Sequence, residues 1–377
     1  MRKQWVGLVL SAVLLLSCFS GCGGGGKETA AAGETAAATG NSQAVTQAGE
    51  ADPSAGNAGE DLGEPVEFVF ALTVANTHPY AVAAQNFASL VEEKSGGNMK
   101  VKLYYDGALG GDEELLNGMK MGNVTFAMVG AGSVATIEPI FEFFDLPCLF
   151  QTREEAYAFQ ESGAVKEMMK GLSQYGYRGL GFYENGFYCI SNKNQPIHKV
   201  EDMKNMKFRC MDGSDVAILG WELLNVQPVP MAFGELFLAM QQGVVEGQET
   251  TIGSFYSSRF YEVQKYLTMS NRLFHVMTFL MSEETWQGLS DGQKAILQEA
   301  TEISMQDHKD YMVTFNDDAV KDMVENYGLE VVESLDEGEW EKMKELLAPV
   351  YQATEERNPD VYARLMEAAE DAIASVK

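Results

Sequence analysis

One arginine stands in an apolar stretch of an otherwise acidic chain, and its type and setting suggest anion binding. The stretch "KNMKFRCMDG", residues 204–213, alternates like a β-strand and places Arg209 between apolar neighbours. A guanidinium group does not lose its charge at physiological pH, so burying it requires a partner that replaces its lost hydration. Two partners are open at this point: a carboxylate of a bound molecule, or a structural salt bridge to Asp212 or Asp215.

The sequence offers no pattern of reactive residues that is typical of an enzyme. It has no G-x-S-x-G, H-E-x-x-H or P-loop motif, and Gly179 and Gly181 form only part of a dinucleotide-binding fingerprint. The four histidines are scattered, and no Cys or His pair has the spacing of metal ligands. We therefore expect no catalytic residue, no metal and no cofactor. His78 alone among the histidines lies in the loop after the first strand, where a His-Pro turn starts a helix.

Charge and length narrow the class of protein. The chain has 377 residues, 46% of them hydrophobic, which is enough for a large core and favours two lobes over one. Its net charge of -28 argues against binding to nucleic acid, because such binding depends on clustered Lys and Arg. The same charge fits a well-solvated surface, and we expect a monomer.

The N-terminus predicts export and lipid attachment. A basic start at Arg2 and Lys3 precedes an apolar stretch over residues 6–19, which is too short for a membrane-spanning helix. Ser20-Gly21-Cys22 then resembles a bacterial lipobox, with Cys18 as the competing lipidation site. A cleaved signal peptide without lipid is the alternative. Residues 1–22 are interpreted as a lipoprotein signal peptide and lipobox.

A flexible tether is predicted to follow the signal segment. Residues 23–64 contain no aromatic residue and are rich in Ala, Gly, Thr and Glu, so they bury too little apolar surface to fold. We expect the folded part to hang on this tether, lipid-anchored outside the cell membrane. Cys148, Cys189 and Cys210 remain beyond the signal region, and we expect buried free thiols, with a Cys189-Cys210 disulfide as the alternative.

The folded part is predicted to be α/β with two lobes. Strand, helix, strand, helix and strand alternate from residue 66 to about 130, which implies a parallel sheet, and a second α/β series follows. Long helices are expected near the C-terminus, with Ser290 and Gln293 forming a capping box. We assign residues 65–186 and about 275–314 to lobe 1, and residues 187–274 and about 315–377 to lobe 2. A ligand cleft is expected between the lobes, at the carboxyl ends of the strands.

Five segments in order resemble the solute-binding receptors of tripartite ATP-independent periplasmic (TRAP) transporters of the DctP type. They begin with "HPYAVAAQNFASLVEEKSGGNMKVKLYYDGALGGDEELLNGMKMG" and "FDLPCLF" and continue with "PIHKVEDMKNMKFRCMDG", "VQPVPMAFGELFLAMQQGVVEGQET" and "YEVQKYLTMSN". The resemblance covers roughly residues 66–290. It implies a periplasmic-binding-protein-like fold in which two lobes, joined by hinge strands and a long helix, close on a small organic anion.

The resemblance also supplies expectations for the ligand site. It places Arg209 at the position that grips the ligand carboxylate. Tyr188 stands where relatives often have Arg, and Thr250 stands where many have Asn, so a monocarboxylate with an apolar or hydroxylated body is expected rather than a dicarboxylate. The other candidate ligand-binding positions are Asp212, Phe233, Asn76, His78 and the loop from Gly130 to Ser133. For Tyr188 and Phe233 the alternative is a place in the core.

These expectations combine into a receptor that is not an enzyme. It would bind a small carboxylate, close about hinges near Asn185-Gly186 and Met269-Asn271, and deliver the ligand to transporter membrane subunits. A binding protein of an ATP-driven importer, or of a membrane sensor, is the alternative within the same class. An extracellular hydrolase is the alternative from another class.

Overall fold

A parallel three-stranded sheet with helical crossovers opens the described chain. The computed structural model describes residues 62–212 and 214–377, so the expected signal segment, Cys18, Cys22 and nearly all of the tether lie outside the described residues. Strand β1 pairs in parallel with both β2 and β3, which confirms the predicted α/β order. The elements are β1 (Val66–Ala71), α1 (Pro79–Lys94), β2 (Met99–Tyr104), α2 (Asp112–Lys120) and β3 (Phe126–Gly130).

Helix α1 starts where the His-Pro sequence predicts. Pro79 occupies the first helical turn, where its missing N–H costs nothing, and His78 precedes it in an extended conformation. The Nδ1 atom of His78 accepts a hydrogen bond from the backbone N–H of Tyr80 at 3.3 Å. His78 is therefore the N-cap of α1.

A helical segment leads from the first sheet to the longest strand. Helices α4 and α5 begin at Thr152 and Ser162, whose hydroxyl groups each accept a backbone N–H of the first turn. The elements are α3 (Ala131–Val134), a 3₁₀ segment (Pro139–Asp145), α4 (Arg153–Gln160), α5 (Gly163–Gly171), a 3₁₀ turn (Leu172–Tyr175) and β4 (Tyr177–Asn192).

The second α/β series builds another set of parallel strands. β5 pairs in parallel with both β6 and β7, and β7 pairs antiparallel with the distal half of β4. The elements are β5 (Lys207–Met211), α6 (Asp215–Leu223), β6 (Gln227–Met231), α7 (Leu236–Gln242), β7 (Gly247–Thr251), α8 (Ile252–Ser257), β8 (Tyr266–Thr268) and β9 (Phe274–Ser282), with short 3₁₀ turns at Val200–Met203, Phe233–Glu235 and Phe260–Glu262.

Two long antiparallel strands join the two parallel groups. β4 pairs with β9 as far as the Phe187–Phe274 match, from Tyr188 onward it pairs with β7, and over Ile190–Asn192 it also pairs with β8. The strand order is β2-β1-β3-β9-β4-β7-β5-β6. The pairing of β4 with β9 shifts register between Glu184 and Gly186, which marks a β-bulge at one of the expected hinges.

The last helices brace both halves of the molecule. α10 has the capping box predicted at Ser290 and Gln293, runs for 37 residues, and packs against α1, α8 and β4. The elements are α9 (Glu283–Gly288), α10 (Asp291–Tyr327), β10 (Glu330–Val332), α11 (Glu339–Leu346), α12 (Ala348–Arg357) and α13 (Pro359–Ser375). Within the described ranges, none of the helices combines the length and apolarity that crossing a bilayer requires.

The C-terminal helices contact elements from both expected lobes. α13 packs against α4 and α5, which lie within residues 65–186. α12 contacts α6 on one side and the 3₁₀ segment Pro139–Asp145 on the other. The apolar stripe of α13, with Leu365 and Ala369 fully buried, explains this position, because it completes a core shared by both lobes.

The three cysteines of the folded part are buried free thiols, as expected, and Cys189 and Cys210 are not paired. Burial raises the pKa of the Cys189 thiol well above its ordinary value and that of Cys210 to about 11. Both groups are thus protonated at physiological pH and act as small apolar side chains.

A buried ion pair connects β7 with the segment that leads into β9. Arg272 Nε donates to Glu249 Oε1 at 2.9 Å, and a second guanidinium N–H donates to the other carboxylate oxygen. The two side chains are 6% and 3% exposed, and the guanidinium carbon of Arg272 lies 4.7 Å from the ring centroid of Trp221. Burial alone would lower the pKa of Arg272, but Glu249 raises it, so the pair is ionised.

Glu249→Gln should destabilise the fold by about 3–5 kcal/mol, because the neutral amide leaves the buried charge of Arg272 without a counter-ion. Urea unfolding measures the change. Glu161→Gln is the matched control, since Glu161 pairs with Lys166 on the surface, with side chains 60% and 59% exposed, and should change the unfolding free energy by less than about 1 kcal/mol. Equal effects of the two substitutions would contradict the role given to the buried pair.

Candidate ligand-binding cleft

Arg209 is the central residue of β5, with only 8% of its surface exposed. Its Nε donates to the carbonyl oxygen of Met231 at 3.2 Å, and its guanidinium carbon lies 5.8 Å from the ring centroid of Phe233. These contacts fix the side chain on one side only. The remaining donors of the guanidinium group have no hydrogen-bond partner in the described part of the chain.

The salt bridge considered for Arg209 is not formed. Asp215 lies 3.9 Å from Arg357 instead, and Asp212 is exposed in the turn after β5. No described carboxylate pairs with Arg209, whose pKa is lowered by burial because the charged form has lost water without gaining a close counter-ion. The group stays charged at neutral pH, so the protein holds an uncompensated positive charge at this point.

Tyr188 borders the same cavity as Arg209. Its ring stacks on His275 with the centroids 4.9 Å apart and the planes 23° apart. Burial raises the pKa of Tyr188 far above its ordinary value, so the phenol keeps its proton. The hydroxyl group has no hydrogen-bond partner within the described ranges and is available to a ligand.

Asp145 enters this cavity from the other lobe. It ends the 3₁₀ segment Pro139–Asp145 and is 9% exposed, and its carboxyl group makes no hydrogen bond with the described residues. Burial, helped by Glu142, raises its pKa to about 7. Arg272 and Glu249 line the cavity too, but their charges neutralise each other. Arg209 therefore supplies the cationic character of this cavity.

The end of β3 lies against the end of β5. Asp112 Oδ2 accepts hydrogen bonds from the Gly130 N–H at 2.9 Å and from the Ser133 hydroxyl at 2.8 Å. Burial raises the pKa of Asp112, and the two hydrogen bonds and Arg209 work against this rise. The Ser133 hydroxyl oxygen lies 3.7 Å from the Met211 sulfur of β5. The two lobes thus touch at Ser133 and Met211, two residues along β5 from Arg209.

Three of the predicted ligand residues are used differently. Asn76 is exposed before α1, and its described hydrogen bond is that of its carbonyl oxygen with Gln85. His78 uses both ring nitrogens within the protein, for the α1 cap and for the Ser254 hydroxyl at 3.1 Å. Thr250 is 5% exposed and pairs in register with Cys189, so it points to the face opposite Tyr188.

Sequence reasoning missed several residues of the cleft. Arg272 carried the same signal as Arg209, a charged residue within an apolar run, "SNRLFHVM", and His275 lies in that run as well. Asp145 in "FDLPCLF" and Asp112 at the start of α2 gave no local signal, because their burial follows from how the lobes meet. No group of three or more His, Cys, Asp or Glu side chains in the described segments has a geometry suited to a metal ion.

A family model supports the resemblance seen in the sequence. The model of "Bacterial extracellular solute-binding protein, family 7", DctP, matches residues 70–358. The C4-dicarboxylate-binding protein DctB of Bacillus subtilis is 30% identical over 305 residues, which are 78% of this chain and 84% of that protein.

Solved structures agree in fold along nearly their whole length. The sugar acid binding protein DctPAm of Advenella mimigardefordensis, solved with galactonate, is 32% identical, has a TM-score of 0.78, and covers 82% of this chain and 99% of its own. A TRAP periplasmic solute-binding protein of Shewanella oneidensis, solved with succinate, is 27% identical with a TM-score of 0.77 over the same shares. The two-lobed fold predicted from the sequence is confirmed, and the chain belongs to the DctP family of TRAP-transporter solute-binding proteins.

Proposed function

We propose that Arg209 is the residue by which this receptor holds the carboxylate of a small organic acid between its lobes. The observation that carries the proposal is a buried guanidinium group without a described counter-ion, at the place where both lobes meet. A bound carboxylate accepts two parallel hydrogen bonds from such a group and neutralises the charge for which the described residues supply no counter-ion.

The charges around Arg209 favour a monocarboxylate. Arg272 is neutralised by Glu249. Asp145 lines the cavity, and Asp112 lies beside it, bonded to the end of β3. A second carboxylate on the ligand would meet these acidic groups without a free cation to pair with. The galactonate-bound relative has a single carboxylate on its ligand, and the succinate-bound one has two. Tyr188 and Phe233 are proposed as the neutral walls of the site.

Closure of the two lobes follows from the strand arrangement. The bulge at Asn185 lies on β4, and Asn271, in the left-handed conformation with φ of 45°, lies in the segment between β8 and β9. A ligand that contacts Arg209 and the β3 end together stabilises the closed form over the open one. The membrane subunits of a TRAP transporter then receive the ligand from a closed, monomeric receptor.

Arg209→Ala should lower the affinity for an organic acid by at least about 100-fold, because two charge-assisted hydrogen bonds contribute about 1.5–3 kcal/mol each. Ligand-induced thermal stabilisation and isothermal titration calorimetry measure the loss, with galactonate, galacturonate, gulonate and succinate as probes. Arg209→Lys keeps the charge but not the planar fork, so its affinity should fall between those of the wild type and the alanine variant.

Arg364→Ala is the matched control, since it removes the same charge from a surface pair with Glu167, where the arginine is 52% exposed. It should bind like the wild type. Wild-type affinity in a folded Arg209→Ala variant would refute the assignment of Arg209. Binding of neutral sugars instead of acids by the wild type would refute the carboxylate itself.

We further propose that Cys22 carries a lipid that anchors the receptor to the outer face of the cell membrane. The support is the apolar segment, the small residues before Cys22 and the glycine-rich sequence that follows it. The alternatives are lipid attachment at Cys18 and a cleaved signal peptide without lipid, and variants of the two cysteines distinguish them.

Cys22→Ser should abolish incorporation of labelled fatty acid and release the protein from the membrane fraction, whereas Cys18→Ser should leave both unchanged. Mass spectrometry of the mature N-terminus identifies the modified residue. The opposite pattern would assign the lipid to Cys18. A mature protein without any added lipid mass would show that the segment is only a cleaved signal peptide.

A further inference from the structure

His275 has a buried ring nitrogen that nothing in the described protein satisfies. The residue is 3% exposed and lies at the start of β9, under the ring of Tyr188. Its Nδ1 lies 3.1 Å from Asn185 Nδ2, but its Nε2 has no hydrogen-bond partner among the described residues. A buried donor or acceptor without a partner costs about 1–3 kcal/mol, so such an atom calls for an explanation.

A chain of hydrogen bonds runs from α1 to this ring. His78 Nε2 lies 3.1 Å from the Ser254 hydroxyl, which lies 3.2 Å from the Thr251 hydroxyl. The Thr251 hydroxyl lies 3.0 Å from Asn185 Oδ1, and the amide of Asn185 reaches His275. The chain starts in the first lobe, passes through β7 and α8 of the second, and ends at the cleft.

The backbone amide of Tyr80 sets the tautomer of His78 at the start of the chain. Because Nδ1 of His78 accepts that N–H, a neutral His78 carries its proton on Nε2 and donates to Ser254. Burial lowers the pKa of His78 to about 3, so the ring is neutral. The Thr251 hydroxyl, 3.2 Å from that of Ser254, donates to Asn185 Oδ1.

The contacts of Asn185 fix the tautomer of His275. With its oxygen accepting from Thr251, Asn185 turns its amide N–H toward His275, whose Nδ1 is therefore the acceptor. Burial, together with the nearby Arg209, lowers the pKa of His275 to about 3, which keeps the ring neutral. The one ring proton is thus on Nε2, and the orphaned atom is a donor.

The groups beside this donor come from both lobes. A Cβ on Gly130 would lie 3.5 Å from His275 Nε2, 3.5 Å from Asp112 Oδ2 and 3.4 Å from Met211 Cε, so these atoms converge on the bare α-carbon. His275 offers a proton here, and Asp112 Oδ2 is an acceptor, since it accepts hydrogen bonds from Gly130 and Ser133. A hydroxyl group both accepts and donates, so it is the group that satisfies the two together.

We propose that His275 is a ligand-binding residue that donates its Nε2–H to a hydroxyl group of the bound acid, close to the carboxylate held by Arg209. The ligand class is therefore a hydroxylated monocarboxylate, such as a sugar acid. This inference rests on the proposed function of Arg209. His78 serves the site through the chain that orients His275 and makes no contact with the ligand.

Two substitutions separate the two nitrogens of the ring. His275→Gln places an amide N–H near the position of Nε2 and removes the acceptor for Asn185. His275→Asn keeps an acceptor near Nδ1 and removes the donor. Affinities for galactonate and for its 2-deoxy and 3-deoxy forms, measured by calorimetry on each folded variant, report whether a hydroxyl is recognised.

The wild type should bind galactonate at least about fivefold more tightly than one of the two deoxy forms, in keeping with one lost hydrogen bond. His275→Asn should bind all three acids alike, and His275→Gln should retain a preference. Equal preference in the wild type and the asparagine variant, with Arg209→Ala still abolishing binding, would overturn this inference alone. No binding of any acid by the wild type would overturn the proposed function.

A spectroscopic measurement tests the chain directly. Nitrogen-15 NMR of the unliganded wild type should show the neutral Nε2–H tautomer for His275, and galactonate should shift the Nε2 resonance. Thr251→Val interrupts the chain and should produce a mixture of tautomers together with weaker galactonate binding. A His275 that stays in the Nε2–H form in this variant, with unchanged affinity, would contradict the orienting role of the chain.

Discussion

The structure depends on a buried positive charge that no described carboxylate neutralises. Arg209 is nearly enclosed, and the few contacts it makes are a backbone carbonyl and the face of Phe233. Holding it there costs free energy, because the guanidinium group has given up water for an incomplete set of partners. In the proposed function, an anion that binds between the lobes recovers that cost and so couples ligand binding to lobe closure.

The central strands β4 and β9 determine where the uncompensated charge of Arg209 lies. β4 leaves β9 and joins β7 at Tyr188, so the residues at this switch belong to both lobes. Tyr188 and His275 stack there, and the bulge at Asn185 lies beside them. A hinge next to the ligand contacts means that small backbone changes at the switch open or close the cavity around Arg209.

Local sequence patterns predicted the caps and strands that depend on residues close to one another in the sequence. The His78 cap of α1, the capping box of α10 and the strand that holds Arg209 each depend on residues within four positions of one another. The pair of Glu249 and Arg272 joins segments that only the tertiary fold brings together, so the spacing of the two residues in the sequence does not predict the pair. Thr250 was predicted as a ligand residue, and strand alternation directs its neighbour Thr251 toward the chain of hydrogen bonds that ends at His275. C-terminal helices were assigned to one lobe because an amphipathic pattern reveals an apolar face but not what covers it.

Histidine chemistry explains how a strongly acidic receptor recognises an acid without adding further cations. A second free arginine beside Arg209 would favour a dianion, since each carboxylate would find its own partner. The cleft instead pairs one cation with neutral donors whose protons are fixed in position. His275 can act as a neutral donor only if its tautomer is set, and Asn185 sets it, because its oxygen accepts from Thr251 and its N–H faces Nδ1 of His275. Under this proposal, acids lacking a hydroxyl group there leave the Nε2–H donor unpaired.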